Sequence, residues 1–501
     1  MENRKTKIIS IVAIVALALT VVTATYAYFQ AQTGEGSQTD IKINANTVDT
    51  FTFATGSQIS FNINQENFAS GTGNQSGSTF ASALLTANNK TNTATEHYYL
   101  YLNIENNSFT YSIDNSTPEI IMTIKDSSGT EVTNISTLNH VIVTGANGTQ
   151  VSGYDITSKS GVITLLNNRE ITTTSSKEEK WNVTITFVNY DQNQKANAGK
   201  SMSAKLMIQS TKIPETIADV CSSGDNLATC LATLSSKSAS SLSKIYYHDS
   251  NLENGAGDNS YRYAGASSEV NNYLYFSGVT DRFSWGYYRI IGVFNGQVKL
   301  ITQEEVEGAA WNTYNGSKIS NTWSEASINT LINGSGFLTY LGDTANKIAT
   351  TTWKVGGNTW DNIGQKKASI AYQNEITSPA PGSSSSTGET EYPAKIGLMY
   401  VSDYGFAADP IAWIYTLNGY EVTASNGKSV CSQDWLCSGN IEWTITRIAD
   451  DSRSAFLIRE AGNIAAGPLA DGHFYRPTFY LNGDVTYVSG TGTSSDPILV
   501  N

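Results

Sequence analysis

Trp181-Asn-Val-Thr-Ile-Thr-Phe187 alternates apolar side chains with amide and hydroxyl side chains. A period of two places the apolar set on one face of a β-strand and the polar set on the other. Ile59-Ser-Phe-Asn-Ile63 shows the same alternation. Both stretches therefore predict half-buried strands, with one face on a core and the other in water.

The sequence around these two stretches continues the strand pattern. Short apolar runs separated by Gly, Asn, Asp and Ser turns are found at His97 to Tyr111, Glu119 to Lys125, His140 to Thr144, Gly161 to Leu166 and Ser203 to Ile208. Many short strands at this spacing predict an antiparallel β-sandwich over residues 30–212. One exception is the Ala-rich segment from Thr79 to Leu85, which we expect to form a short helix.

The pattern changes after residue 212. Leu227, Leu231 and Leu234 recur at helical spacing, which predicts a helical connector over 213–245. Residues 246–501 mix strand and helix signals and predict an α+β domain, with a flexible insertion at 376–391 that is rich in Ser and Pro. The Asn295-Gly296 pair between two apolar runs predicts a tight β-hairpin. The expected fold class is thus mainly β, in two domains.

The N-terminal segment indicates export. About 22 uncharged residues, Ile8 to Phe29, follow the basic leader Arg4, Lys5 and Lys7. A run of this length can cross a bilayer, which needs roughly 20 residues, or serve as a signal peptide. Small residues precede a possible cleavage point between Ala27 and Tyr28, so residues 1–29 are interpreted as a signal peptide, with an uncleaved membrane anchor as the alternative. Either way we expect an extracellular or cell-surface location.

The cysteines fall into two local pairs, Cys221 with Cys230 and Cys431 with Cys437. In an exported chain such pairs predict disulfides. The four histidines are scattered, so neither a metal site nor another cofactor is expected.

The charge balance excludes one class of partner. Lys and Arg number 31 against 44 acidic residues, giving a net charge of −13. Such a surface repels polyanions, so nucleic acid is not an expected partner. The partners that remain are surface glycans, other copies of the chain, and the membrane through an uncleaved leader.

Thr25-Tyr-Ala-Tyr-Phe29, at the end of the apolar segment, resembles the start of the TasA and camelysin family of Gram-positive bacteria. Proteins of that family are secreted β-sandwiches that assemble into extracellular fibres. The resemblance implies a mature N-terminus at Tyr28 and a free N-terminal segment able to pair with a sheet edge.

A second resemblance covers the C-terminal half. Tyr261-Arg-Tyr-Ala-Gly265 and Tyr288-Arg-Ile-Ile-Gly292 resemble a module of secreted Gram-positive proteins. The motifs after the flexible insertion are Ile396 to Gly405, Glu442-Trp-Thr-Ile-Thr446, Gly462-Asn-Ile464 and Arg476-Pro-Thr-Phe-Tyr-Leu481. Together they resemble the C-type-lectin-like fold shared with the formylglycine-generating-enzyme superfamily. That superfamily contains carbohydrate and surface binders as well as enzymes. Its oxidase branch depends on copper-binding cysteines, whereas every cysteine here has a local partner.

Two places in the sequence are candidate ligand sites. Trp435, beside Asp434 in the loop between Cys431 and Cys437, offers an indole face for stacking on a sugar ring; the alternative is that the indole packs inward and fills the loop. A second candidate is a strip of four tyrosines that could equally pair across strands: Tyr98, Tyr99, Tyr101 and Tyr111. Arg476 is expected to be structural.

No nucleophile, metalloprotease or nucleotide-binding motif occurs in the sequence, so we expect no enzyme activity. The predicted function is adhesion, glycan binding or matrix assembly at the cell surface. A secreted polysaccharide hydrolase, or a fibre subunit without a ligand, are the alternatives.

Overall fold

The computed structural model describes residues 49–64, 73–88, 92–276, 287–334, 337–380, 388–424 and 426–501. The chain divides into two compact units, Met1–Lys212 and Ile213–Asn501. Most regular structure is β, in several largely antiparallel sheets, which confirms the predicted fold class. The predicted leader at 1–29, with the predicted cleavage point between Ala27 and Tyr28, lies outside the described residues. Within them, no helix is both long enough and apolar enough to span a membrane.

The described part of the first unit is built from strands in two antiparallel sheets. The strands are β1 Thr50–Thr55, β2 Ile59–Ile63, β3 Gln75–Thr86, β4 Ala94–Asn107, β5 Ile120–Lys125, β6 His140–Thr144, β7 Gln150–Asp155, β8 Gly161–Thr173, β9 Ser176–Phe187 and β10 Lys200–Gln209. One sheet has the order β1-β3-β9-β5-β7-β6 and the other β2-β10-β4-β8.

The two sheets enclose one apolar core, as a sandwich does. In β9 the residues Trp181, Val183 and Ile185 are buried, while Asn182 is exposed between them. Strand β4 of the other sheet adds Leu100, Leu102 and Ile104 to the same core. The period-two patterns therefore identified the strands correctly.

The predicted helix at Thr79 to Leu85 is wrong, because this segment is the middle of β3. Ala81, Ala83 and Leu85 alternate into the core, and β3 pairs along its length with β9 on one side and with β1 on the other. Alanine's helix preference amounts to only a few tenths of a kcal/mol per residue over most alternatives. Pairing on both sides and burial of one face outweigh that preference.

The described residues of the second unit combine short helices with three sheets. Its helices are α1 Leu227–Lys237, α2 Ser240–Ser243, α3 Ser327–Asn333, α4 Phe337–Tyr340, α5 Trp360–Ile363, α6 Ala368–Tyr372 and α7 Val401–Ala407. Its strands are β11 Ile245–His248, β12 Ser260–Tyr263, β13 Tyr273–Phe276, β14 Tyr288–Phe294, β15 Gln297–Thr302, β16 Val306–Ala310, β17 Thr351–Lys354, β18 Glu391–Ala394, β19 Ile396–Gly397, β20 Glu442–Arg447, β21 Ser454–Ile458, β22 Ile464–Pro468, β23 Gly472–Tyr475, β24 Thr478–Tyr480, β25 Tyr487–Ser489 and β26 Ile498–Val500.

The largest sheet of this unit has the order β19-β24-β15-β14-β13-β26-β25, with β12 joining β14 and β11 joining β12. A five-stranded sheet has the order β16-β23-β20-β21-β22, and β17 pairs with β18. Two of the strand pairs are parallel, β13 with β26 and β20 with β23. The predicted hairpin is present as β14 and β15, and Asn295 and Gly296 adopt the positive φ values of 50° and 78° that its turn requires.

The predicted helix around the leucines is present as α1. Leu227, Leu231 and Leu234 are buried in the core of the second unit, so residues 213–245 pack as part of that unit. The side chain of Asn226 accepts a hydrogen bond from the Thr229 amide at 3.1 Å and so caps the helix. Of the predicted insertion at 376–391, residues 381–387 lie outside the described part of the chain.

Candidate functional site

The disulfide loop between Cys431 and Cys437 holds Trp435 inside the protein. Trp435 is 4% exposed, and its Nε1 donates a hydrogen bond to the Tyr263 carbonyl at 3.0 Å. The Arg289 guanidinium lies 4.7 Å from the centre of the indole ring. No indole face is presented to a sugar ring, and the geometry is that of the packing alternative.

Asp434 is also buried, with 2% of its surface exposed. Its Oδ1 accepts a hydrogen bond from the Leu436 amide at 2.8 Å. Burial raises the pKa of Asp434 well above the usual range, which favours a neutral carboxyl. The side chain shapes the disulfide loop and does not reach a ligand from outside.

Both predicted disulfides are present, Cys221 with Cys230 and Cys431 with Cys437. In the described residues one cluster has the spacing of a metal site, and it consists of Cys221, Asp225 and Cys230. Because both sulfur atoms of that cluster are in a disulfide, neither is available as a thiolate ligand.

The tyrosine strip of the first unit is not an exposed platform. Tyr98 and Tyr101 are fully buried in β4. The Tyr98 hydroxyl donates to Glu179 Oε2 at 2.7 Å and accepts from Trp181 Nε1 at 2.7 Å, and Glu179 also pairs with Arg169. Tyr98 therefore serves a buried polar network that joins the two sheets.

The second unit does carry an open cleft of about 420 Å³. We call it the hairpin cleft, because the hairpin of β21 and β22 supplies most of its wall. It is lined by Glu421, Ile441, Leu457, Arg459, Glu460, Ala461, Asn463, Ala466, Gly467, Pro468 and His473. Ligand sites of small molecules typically fall between about 300 and 1,000 Å³, so this cleft is large enough for one.

The floor of the hairpin cleft is apolar and closely packed. A Cβ atom at Gly467 would lie 2.3 Å from Leu457 Cδ2 and 2.9 Å from the Trp443 ring, so only glycine fits there. The Trp443 indole is fully buried and its Nε1 donates to the Ala309 carbonyl at 3.0 Å. The floor is therefore rigid.

The rim of the cleft is polar and carries both signs of charge. Arg459, Glu460 and Glu421 are exposed, and their side chains form no ion pair or hydrogen bond with any residue that the structure describes. Asn463 Oδ1 is buried and accepts no hydrogen bond from the described protein. The three exposed charged side chains remain available to a ligand, whereas the Asn463 Oδ1 atom is covered by the protein.

His473 completes the rim from β23. Its ring centre lies 5.0 Å from that of Trp443, so the indole supports the imidazole from below. Partial burial lowers the pKa of His473, while Asp471 acts in the opposite direction. At neutral pH the ring is therefore uncharged and can both donate and accept a hydrogen bond.

The loop from Cys431 to Cys437 supports this rim from behind. Gly462 is in the turn of the hairpin at φ +93°, and a Cβ there would lie 2.9 Å from Cys431 Cβ and 3.3 Å from Cys437 Sγ. The Tyr404 hydroxyl also donates to the Gly462 carbonyl at 2.6 Å. The loop is therefore not a ligand platform; it packs against the turn from Arg459 to Asn463, which carries exposed polar side chains of the rim.

No protein-family model matches the chain, and no curated protein is significantly similar to it.

Proposed function

We propose that the protein is an exported, non-enzymatic binding protein that holds a polar, saccharide-like ligand in the hairpin cleft. The observation that carries the proposal is the combination of an apolar floor with a rim of polar side chains unused by the fold. Sugars match such a site, because they offer hydroxyl groups to the rim and C–H faces to the floor. In this role the protein would act in adhesion or in building an extracellular matrix.

Three further observations support export and surface location. Two disulfides occur, and such bonds persist mainly in oxidising compartments outside the cytosol. The uncharged stretch from Ile8 to Phe29 follows a basic leader. The net charge of −13 suits a soluble surface protein. The TasA-like leader and the lectin-like fold of the second unit belong to the same proposal.

Filling the cleft should weaken ligand binding without unfolding the protein. Ala466 is exposed on the edge strand β22 and lines the cleft, so Ala466→Trp adds bulk where the ligand is expected. On a glycan array we expect the wild type to bind a defined set of saccharides and the variant to lose at least about tenfold in affinity, or about 1.4 kcal/mol. Ser494→Trp, at an exposed position outside the cleft, is the matched control.

Equal binding by Ala466→Trp and wild type would contradict the assignment of the cleft. A polysaccharide hydrolase is the alternative, with Glu421 and Glu460 as candidate carboxyl groups. Repeated release of cleaved products, lost in Glu460→Gln, would favour that alternative over a binding protein.

A separate observation favours self-association through the first unit. Strand β6 lies at an edge of its sheet, carries no Lys, Asp, Glu or Pro, and exposes 66% of Ile142. Uncharged, apolar edge strands pair readily with added strands. We propose that the strand added beside β6 is a segment of a second molecule of the same protein.

Ile142→Lys should therefore reduce self-association. At concentrations where the wild type associates in sedimentation velocity, we expect the variant to stay monomeric, with an unchanged melting temperature because the side chain is exposed. Leu84→Lys is the control, since Leu84 is exposed but belongs to the internal strand β3. The edge-strand proposal fails if both variants associate like the wild type.

A further inference from the structure

A lysine and an aspartate meet deep inside the second unit, away from the hairpin cleft. Lys299, on β15, is 0% exposed, and Asp403, in the first turn of α7, is 2% exposed. Lys299 Nζ lies 2.5 Å from Asp403 Oδ2. Lys is almost never fully buried, because an ammonium group is strongly disfavoured away from water.

Aromatic rings surround the amine. The Lys299 Nζ atom lies 4.2 Å from the ring centre of Tyr400, 5.3 Å from those of Trp353 and Tyr480, and 5.6 Å from that of Phe294. Burial lowers the pKa of Lys299, with the carboxylate of Asp403 acting in the opposite direction. Transfer of one proton along the hydrogen bond from Nζ to Oδ2 would convert the ion pair into a neutral amine and a neutral acid.

Arg262 lies beside the carboxyl group of Asp403, where it could stabilise negative charge during attack by a nucleophile. Arg262 Nη1 lies 3.6 Å from Asp403 Oδ1 and is buried without a hydrogen-bond partner in the described protein. The other nitrogens of Arg262 are occupied, Nε by Ser260 Oγ at 2.8 Å and Nη2 by Asp258 Oδ2 at 2.6 Å. One unused cationic donor thus faces the oxygen on which negative charge would develop if a nucleophile added to Cγ.

The second oxygen of Asp403 is held by the backbone. The Tyr400 amide donates to Oδ2 at 2.9 Å, so both the amine and this N–H bind the same oxygen. Glu375 fixes the same turn, because it accepts hydrogen bonds from the Val401 and Ser402 amides, each at 3.0 Å. The geometry therefore positions Nζ, Cγ and both oxygens before any reaction begins.

We propose that Lys299 and Asp403 condense into an amide cross-link between β15 and α7. The Lys299 Nζ lone pair attacks Asp403 Cγ, Oδ1 carries the developing negative charge beside Arg262, and the C–Oδ2 bond breaks. Two of the three ammonium protons leave with Oδ2 as water, and the third stays on the amide nitrogen. An ammonium and a carboxylate thus become one amide and one water, with no oxidant or other reactant.

The amide would be more stable in this buried site than the ion pair is. A neutral amide replaces two buried charges, and the pair between Arg262 and Asp258 is left intact. The bond would join residues 104 positions apart, so it would also restrict the unfolded chain as a long-range disulfide does. This inference does not depend on the proposed ligand or on the hairpin cleft.

Mass spectrometry of the purified full chain, reduced and alkylated, tests the proposal. We expect the folded wild type to be lighter than its sequence requires by about 18 Da, the mass of one water. A tryptic digest should contain a branched peptide that joins the segments around Lys299 and Asp403, uncleaved after Lys299. Lys299→Met and Asp403→Ala should each have the mass that the sequence requires.

Lys354 and Glu391 provide an internal control, because they form an exposed ion pair in the same unit and should be recovered unlinked. Should either variant fail to fold, the wild-type digest still decides the question. Quantitative recovery of unlinked Lys299 peptide from folded wild-type protein would overturn the proposal, and so would a missing water that persists in Asp403→Ala.

Discussion

Replacing Trp435 by alanine is expected to lower the free energy of unfolding by about 3–5 kcal/mol, the range for removing a large buried aromatic side chain. Trp435 fills the loop closed by Cys431 and Cys437, contacts Arg289 and bonds the Tyr263 carbonyl. Its removal leaves a cavity and an unpaired carbonyl. Urea unfolding followed by circular dichroism would measure the change.

Trp435→Phe separates the contribution of packing from that of the hydrogen bond to the Tyr263 carbonyl. It keeps much of the ring volume and loses the hydrogen bond to Tyr263, so we expect a smaller cost of about 1–3 kcal/mol. If Trp435→Ala left stability unchanged and weakened glycan binding instead, the indole would be a ligand contact and its buried placement would be contradicted.

Arg476→Ala should be comparably destabilising. Arg476 forms a two-pronged pair with Glu442 through Nε and Nη2, both at 2.8 Å, and Nη2 also bonds the Leu436 carbonyl at 2.6 Å. Arg476 is 6% exposed and Glu442 1%. Removing one partner leaves a buried carboxylate uncompensated, which typically costs about 3–5 kcal/mol.

The stability that Arg476→Ala loses should depend on pH. Burial raises the pKa of Glu442, and the Arg476 charge limits that rise. Without Arg476 the pKa of Glu442 in the folded state rises further. The variant therefore loses stability as the pH increases through the folded-state pKa of Glu442. We expect the free energy of unfolding of Arg476→Ala to fall further below that of the wild type at pH 8 than at pH 5. Denaturant unfolding at both pH values would measure the difference. Lys354→Ala, which breaks the exposed pair with Glu391, should cost less than about 1 kcal/mol at either pH.

A loss at Arg476→Ala no larger than that at Lys354→Ala would contradict the structural role of the buried pair. The sequence interpretation of Arg476 as structural rested on its position before Pro477 and the closing strand. The structure adds its partner, Glu442, which is 34 residues away.

Strand positions could be predicted because they depend on local alternation. The period of two from Trp181 to Phe187 was sufficient to predict strand β9, and Asn295-Gly296 was sufficient to predict the turn between β14 and β15. The segment from Thr79 to Leu85 misled the prediction, since Phe80 and Leu84 are apolar although they lie on the face away from the core, and so hide the period of two. The burial of the alanines depends on pairing with β9. Long-range pairing of this kind leaves no local signal.

The candidate site was harder to predict for the same reason. Whether Trp435 faces out or in depends on Tyr263, which is 172 residues away. The hairpin cleft was missed, although Arg459-Glu-Ala-Gly-Asn463 between two apolar strands carries a recognisable turn. That local pattern identifies the hairpin, but only the packing of Gly467 against Leu457 and Trp443 shows that a depression lies beside it.

Hydrogen exchange with and without a saccharide identified on the array tests the central claim most directly. At saturating ligand, amides from Ile458 to Gly467 and around His473 should exchange more slowly by about tenfold or more. Amides in the first unit, 49–212, should be unchanged, and Ala466→Trp should show no protection. Protection confined to the first unit would contradict the hairpin cleft as the binding site.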